Sequence, residues 1–118
     1  MENKDKLFKI VERIRSFAHE RDWEKFHSPK NISMALSVEA SELMEHFQWL
    51  SEEESRNLSD QKLDEVSQEI ADVFLYLLRM SDELGVDLLE VADNKMNLNE
   101  KKYPVDKSKG NAKKYTEF

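Results

Sequence analysis

Two acid-x-x-acid pairs give this chain its most specific chemistry: Glu39 and Glu42 in V-E-A-S-E-L (38–43), and Glu69 and Asp72 in Q-E-I-A-D-V (68–73). Residues three apart share one face of a helix, so each pair presents its oxygens in one direction. Asp72 is the only charged residue between Ile70 and Leu78, and an ionised carboxylate in apolar surroundings is costly unless something compensates it. Four acids brought together from two packed helices repel one another, and a hard divalent cation relieves the repulsion. An all-oxygen ligand set suits Mg²⁺, with Mn²⁺ as the second choice. His46, at i+4 from Glu42, offers a further ligand pair, but no Glu-x-x-His motif is present, which argues against a di-iron centre. The ordinary reading of a helical Glu-x-x-Glu is a solvated face. The apolar stretches 34–38 and 70–78 weigh against it here, because they turn both pairs toward a bundle interior.

Mg²⁺ bound by a few carboxylates usually serves substrate phosphates, which points to phosphoryl or nucleotidyl chemistry. A polyphosphate needs cations, and Lys95, Lys101 and Lys102 lie near Asn99 and Tyr103; spacing alone favours a solvated face for them. Trp23, Phe26, Phe47, Trp49 and Tyr76 can stack on a nucleobase or pack a core or subunit interface. Tyr76 lies at i+4 from Asp72 and so shares its face. His27 is a loop residue, read chiefly as a local hydrogen-bonding group and secondarily as a substrate contact.

These residues need helices to position them. With two Gly and two Pro in 118 residues, punctuation is sparse and the helices should be long. Leu7, Ile10, Val11, Ile14, Phe17 and Ala18 recur at helical spacing and predict a first helix over about 5–22. An aromatic-rich loop follows, then a second helix over about 31–49. Ser51 to Glu54 has the capping-box pattern of a short turn. Leu63, Val66, Ile70, Val73, Phe74, Leu77, Leu78 and Met80 predict a third helix over about 60–84, with an apolar face broad enough to be buried between several helices. Gly85 is placed as its stop. Asp87 and Glu90 start a fourth helix that runs to about Lys102, and Pro104 ends it. The expected architecture is all-α, a four-helix bundle forming one domain over 1–104, with a polar, Lys-rich tail over 105–118 that is either mobile or a strap against a neighbour.

Composition narrows the function. There is no cysteine, which excludes disulfides, zinc-thiolate sites and a thiol nucleophile. A net charge of −7 without a basic run argues against a nucleic-acid partner. No apolar leader and no membrane-length stretch occurs, so a soluble, cytoplasmic protein without a membrane partner is expected. The modest hydrophobic fraction, 39%, leaves the aromatics available for an oligomer interface.

The segments E-A-S-E-L-M-E-H-F-Q-W (39–49), Q-E-I-A-D-V-F-L-Y-L (68–77) and K-M-N-L-N-E-K-K-Y-P (95–104), in that order, resemble the MazG-like all-α nucleoside triphosphate pyrophosphohydrolases, and E-R-D-W-E-K-F-H-S-P-K-N (20–31) looks like the dCTP pyrophosphatase branch. The resemblance covers roughly 5–104. It implies hydrolysis of a nucleoside triphosphate between the α and β phosphates, to a monophosphate and pyrophosphate, with a metal-activated water as nucleophile. It assigns Glu39, Glu42, Glu69 and Asp72 as Mg²⁺ ligands, with Glu45 as an assisting acid or base. It places Trp23, Trp49 and Tyr76 at the base pocket, and Lys95, Asn99 and Tyr103 on the phosphate-side helix. It further implies a homotetramer built from two dimers, or a homodimer, with the site between subunits. Two departures matter. Val38 stands where many relatives carry another Glu, and Ile14 stands where some dCTP-specific members carry a base-reading His. A preference broader than cytosine follows. The rival readings are a non-catalytic helical interaction protein and a related bundle enzyme acting on another phosphorylated substrate, such as a phosphoribosyl nucleotide or dUTP.

Overall fold

The computed structural model describes residues 2–118; Met1, the first residue of the expected domain, lies outside the described residues. The order is α1 (Glu2–Glu20), α2 (Pro29–Glu45), α3 (Glu52–Ser55), α4 (Asp60–Leu84), α5 (Leu88–Lys102) and α6 (Val105–Ser108), with 3₁₀ turns at Glu24–Phe26 and Tyr115–Glu117. No strand occurs among the described residues, and the expected all-α class holds. None of these helices is long and apolar enough to cross a membrane. The chain divides into two compact units, one up to Gly85 and one over Val86–Phe118.

In the first unit α2 packs along α4, and α1 joins α4 from another side. Local chemistry sets the helix ends. The Ser28 hydroxyl accepts from the Asn31 N–H at 3.2 Å, and Pro29 takes the first helical position, where its missing N–H costs nothing. α2 stops at Glu45, four residues short of the expected Trp49. Beyond it the bonds tighten to the i+3 pattern, with Phe47 N–H donating to Met44 C=O at 2.9 Å and Leu50 N–H to Phe47 C=O at 2.9 Å. The capping box at α3 is present in both halves, Ser51 N–H to Glu54 Oε1 at 2.9 Å and Glu54 N–H to Ser51 Oγ at 3.1 Å. Ser59 caps α4, and Gly85 ends it at φ 68°, a left-handed conformation that costs glycine little.

α1 ends differently. Asp22 takes the left-handed conformation at φ 53° without being glycine. Its N–H donates to His19 C=O at 3.1 Å, and the Trp23 N–H reaches back to Ala18 C=O at 2.9 Å. This pair of backward bonds satisfies the open carbonyls of the last turn and folds the residue after the stop onto the helix.

The fully buried apolar residues are few: Ala18, Ile32, Val66 and Leu78. The apolar face of α4 was expected to be buried between several helices, and here the structure corrects the sequence. Leu63, Ile70, Phe74, Leu77 and Leu84 all remain exposed. Recurring mostly every seven residues, they line one side of α4, which the packing of α1 and α2 does not cover. A polar clamp supplements the thin core: Arg15 of α1 donates from Nε to Asp82 Oδ2 of α4 at 2.7 Å, and its terminal nitrogen bonds Oδ1. The Arg15 hydrogen bond holds the Asp82 carboxyl below its ordinary value, against the opposing effect of burial.

In the second unit Asp87 caps α5 through the Glu90 N–H at 3.2 Å. The tail was expected to be mobile or to strap a neighbour. Within this unit it curls back onto the end of α5, where Tyr103 meets Tyr115 and Phe118 edge-to-face with ring centres 6.0 and 5.8 Å away. The Lys102 ammonium lies 4.9 Å from the Tyr115 ring centre.

Candidate metal centre and adjoining pocket

α2 and α4 bring three of the four predicted acids to a focus. Carboxylate oxygens of Glu39, Glu69 and Asp72 lie within 4.8 Å of one another. Glu42, one turn along α2 from Glu39, lies outside that set, but its charge reaches Glu39. The Glu39 carboxyl is pushed up from 4.5 to about 7. Loss of water is the largest cause, followed by Glu42, which would share its proton, and then by the charges of Asp72 and Glu69. Oε2 of Glu39 and Oε2 of Glu69 are buried with no hydrogen-bond partner. Among the described residues no Lys or Arg forms an ion pair with any of the four acids.

Two orphaned carboxylate oxygens beside a third acid are the unsatisfied donor set that a hard cation completes. All donors are oxygens, so the residues fit a hard divalent ion and not a thiolate or imidazole metal. The expectation that Asp72 is the desolvated acid needs correction. Asp72 is exposed, while Glu39 and Glu69 are half-buried. The apolar run around Asp72 belongs partly to the uncovered side of α4, two residues away around the helix. Glu45 is exposed at the end of α2, and His46 just beyond it is half-buried; neither belongs to the cluster of acids that meet.

Asp72 also lines a pocket of about 750 Å³ between α1, α4 and the turn that joins α1 to α2. Trp23, His27 and Tyr76 line it, as does Ile14. Its aromatic wall is a ladder. The Arg21 guanidinium sits 3.7 Å over Phe17, Phe17 meets Trp23 edge-to-face at 5.6 Å, and Trp23 meets His27 at 6.4 Å. Trp49 is not part of this wall; it is 88% exposed. Lys95, Asn99 and Tyr103 lie on or just after α5 in the second unit, Lys95 exposed and the other two half-buried.

Sequence reasoning missed Phe17 and Arg21 as wall residues, and it missed Arg79, which lines the pocket while only 5% exposed. The signal was present: Arg79 is the only charge in the run from Val73 to Met80. A lone arginine there needs a partner across the fold.

Fold and site together define an all-helical protein with a carboxylate cluster suited to a hard cation, sharing one residue with an aromatic-walled pocket. The chain belongs to the MazG-like family, whose model matches residues 34–118. It is 41% identical to dCTP pyrophosphatase 1 of Bos taurus over 104 residues, 86% of this chain and 62% of the relative. It is 38% identical to dCTP pyrophosphatase 1 of Homo sapiens over the same share of this chain, and 61% of that relative. The chain thus spans about three-fifths of the length of these curated relatives. A crystal structure of a pyrophosphatase from Archaeoglobus fulgidus superposes with a TM-score of 0.77 at 39% identity, covering 81% of this chain and 90% of that one.

Proposed function

We propose that this chain is a Mg²⁺-dependent nucleotide pyrophosphohydrolase, with Mn²⁺ as a substitute ion. It cleaves a nucleoside triphosphate between the α and β phosphates, releasing a monophosphate and pyrophosphate. dCTP or a related deoxynucleotide is the substrate, and the role is cleansing of the cytoplasmic nucleotide pool. One observation carries the reading: Asp72 belongs at once to an acid cluster with orphaned oxygens and to a pocket walled by aromatic rings. A molecule with a flat ring at one end and several negative charges at the other matches that juxtaposition.

In this reading Glu39, Glu42, Glu69 and Asp72 hold the ion, which when bound neutralises charge on the phosphate oxygens and makes water more acidic. The chain's own residues do the rest. Trp23 and Tyr76 stack on the base and fix its distance from Asp72. The ladder through Phe17 and Arg21 keeps the Trp23 ring from turning. Holding base and polyphosphate in one orientation converts attack by water into a positioned event. Glu45 is proposed as an assisting acid or base, and Lys95, Asn99 and Tyr103 as triphosphate contacts, on the strength of the family resemblance. The same resemblance supports a homodimer or a homotetramer, and the uncovered side of α4 supports self-association. Trp49 then joins a base site only through assembly.

The test is a product assay. Purified protein is incubated with each dNTP and NTP, with Mg²⁺ or with EDTA, and products are resolved by ion exchange. Monophosphate and pyrophosphate in equal amounts, from a deoxynucleotide and only with metal, is the expected result. Diphosphate with inorganic phosphate, or no turnover, would overturn the proposal.

A further inference from the structure

Arg79 is the most deeply buried charge in the first unit, and the reaction described above gives it no task. Its Nε donates to Nδ1 of His27 at 3.0 Å. Arginine carries donors only, so Nδ1 must accept, and the ring proton then resides on Nε2. A second guanidinium nitrogen lies 2.9 Å from Glu83 Oε1, and a third lies 3.6 Å from Asp82 Oδ2. Asp82 is itself clamped by Arg15 from α1. Arg79 therefore cannot turn away without leaving a buried charge unpaired. Nε2 of His27 makes no hydrogen bond among the described residues, and His27 lines the same pocket as Trp23 and Tyr76.

We propose that Arg79 is a positioning residue for specificity: it locks His27 as a neutral ring whose Nε2–H is the donor on the base-binding wall, so the pocket favours a ligand edge that carries a hydrogen-bond acceptor. This rests on the nucleotide reading above and says how the base is read. The charged groups facing the imidazole are Arg79 and Glu83 from α4 and Glu24 from the 3₁₀ turn, with Trp23 packed edge-on. Burial and the Arg79 charge lower the ring's proton affinity, in that order, and outweigh the two acids. Neutrality matters functionally. A protonated ring would attract the triphosphate to the end of the pocket that should hold the base.

Nitrogen-resolved NMR of ¹⁵N-histidine-labelled protein tests the lock directly. At pH 8 His27 should carry its proton on Nε2 alone, and the midpoint for gaining a second should lie below the ordinary imidazole value. In Arg79→Met one of the two effects that lower this midpoint is gone, and the midpoint should rise. Kinetics with dCTP and Mg²⁺ give the functional arm. His27→Leu and Arg79→Met should each raise KM about tenfold with kcat little changed, as expected for one lost hydrogen bond. Because Arg79 acts through His27, the double variant should also show about tenfold, not the roughly hundredfold of independent sites. Should Arg79→Met not fold, Arg79→Lys keeps the charge but loses the Nε–H aimed at His27, and it enters the same cycle. A proton on Nδ1 in the unmodified protein at pH 7, or additive effects in the double variant, overturns the proposal. If the unmodified protein hydrolyses no nucleotide, the proposed function fails while the NMR arm still decides whether Arg79 sets the tautomer.

Discussion

Without its cation, the acid cluster should work against the fold, and Glu39→Gln should make the metal-free protein more stable. The Glu39 carboxyl is pushed from 4.5 to about 7. A folded value above the unfolded one means that the fold prefers the protonated form. The penalty is therefore absent below about pH 4.5, grows between there and about 7, and is complete above it. A gap of that size corresponds to about 3 kcal/mol at most. Glu39 is only half-buried, so solvent screening brings the expected figure to about 1 kcal/mol. For a chain of this size that is a rise of about 4 °C in Tm. The assay is thermal unfolding in EDTA at pH 8 and at pH 4.5, for the unmodified protein and for Glu39→Gln. At pH 8 the variant should melt higher, and at pH 4.5 the two should nearly coincide. Adding Mg²⁺ at pH 8 should reverse the order, because only the unmodified protein keeps the full ligand set. A variant that melts lower in EDTA at pH 8, or a gap that does not change with pH, would refute the electrostatic account of the site.

Asp72→Asn removes a charge at the junction of cluster and pocket; under the proposed function turnover should fall by about two orders of magnitude, and nucleotide should no longer raise Tm when Mg²⁺ is present. Ile70→Glu with Leu77→Glu places two charges on the uncovered side of α4 and should shift the protein to monomers by light scattering. In a Trp23→Phe background, Trp49 emission should be blue-shifted in the assembled protein and move to the red in that charged variant. Ser59→Ala removes the α4 cap bonded to the Lys62 N–H at 3.2 Å and should cost about 1 kcal/mol, read from chemical unfolding.

What was legible in the sequence was mostly local. Gly85, the Ser51–Glu54 box and the Asp87 start act through bonds three or four residues long, and each lies where the pattern put it. The acid pairs were legible because helical spacing alone aligns each pair. The end of α2 was not, since Phe47 and Trp49 continue the apolar period past Glu45 and only the hydrogen-bond pattern shows the tightening. Which acid loses its water was also out of reach. It depends on how closely α2 and α4 approach, and the apolar neighbours of Asp72 in the chain are not its neighbours in space. Arg79 and His27 stand 52 residues apart, and nothing along the chain pairs them.

The stop at Asp22 has a consequence for how the pocket can vary. Backbone handedness there sets where the turn delivers residue 23, and the edge-to-face contact with Phe17 then holds its ring. Asp22→Gly therefore keeps the aim, whereas a β-branched residue at 22, which resists that conformation, would swing the whole aromatic wall. The shape of this wall thus depends on the backbone of a residue that does not itself line the pocket.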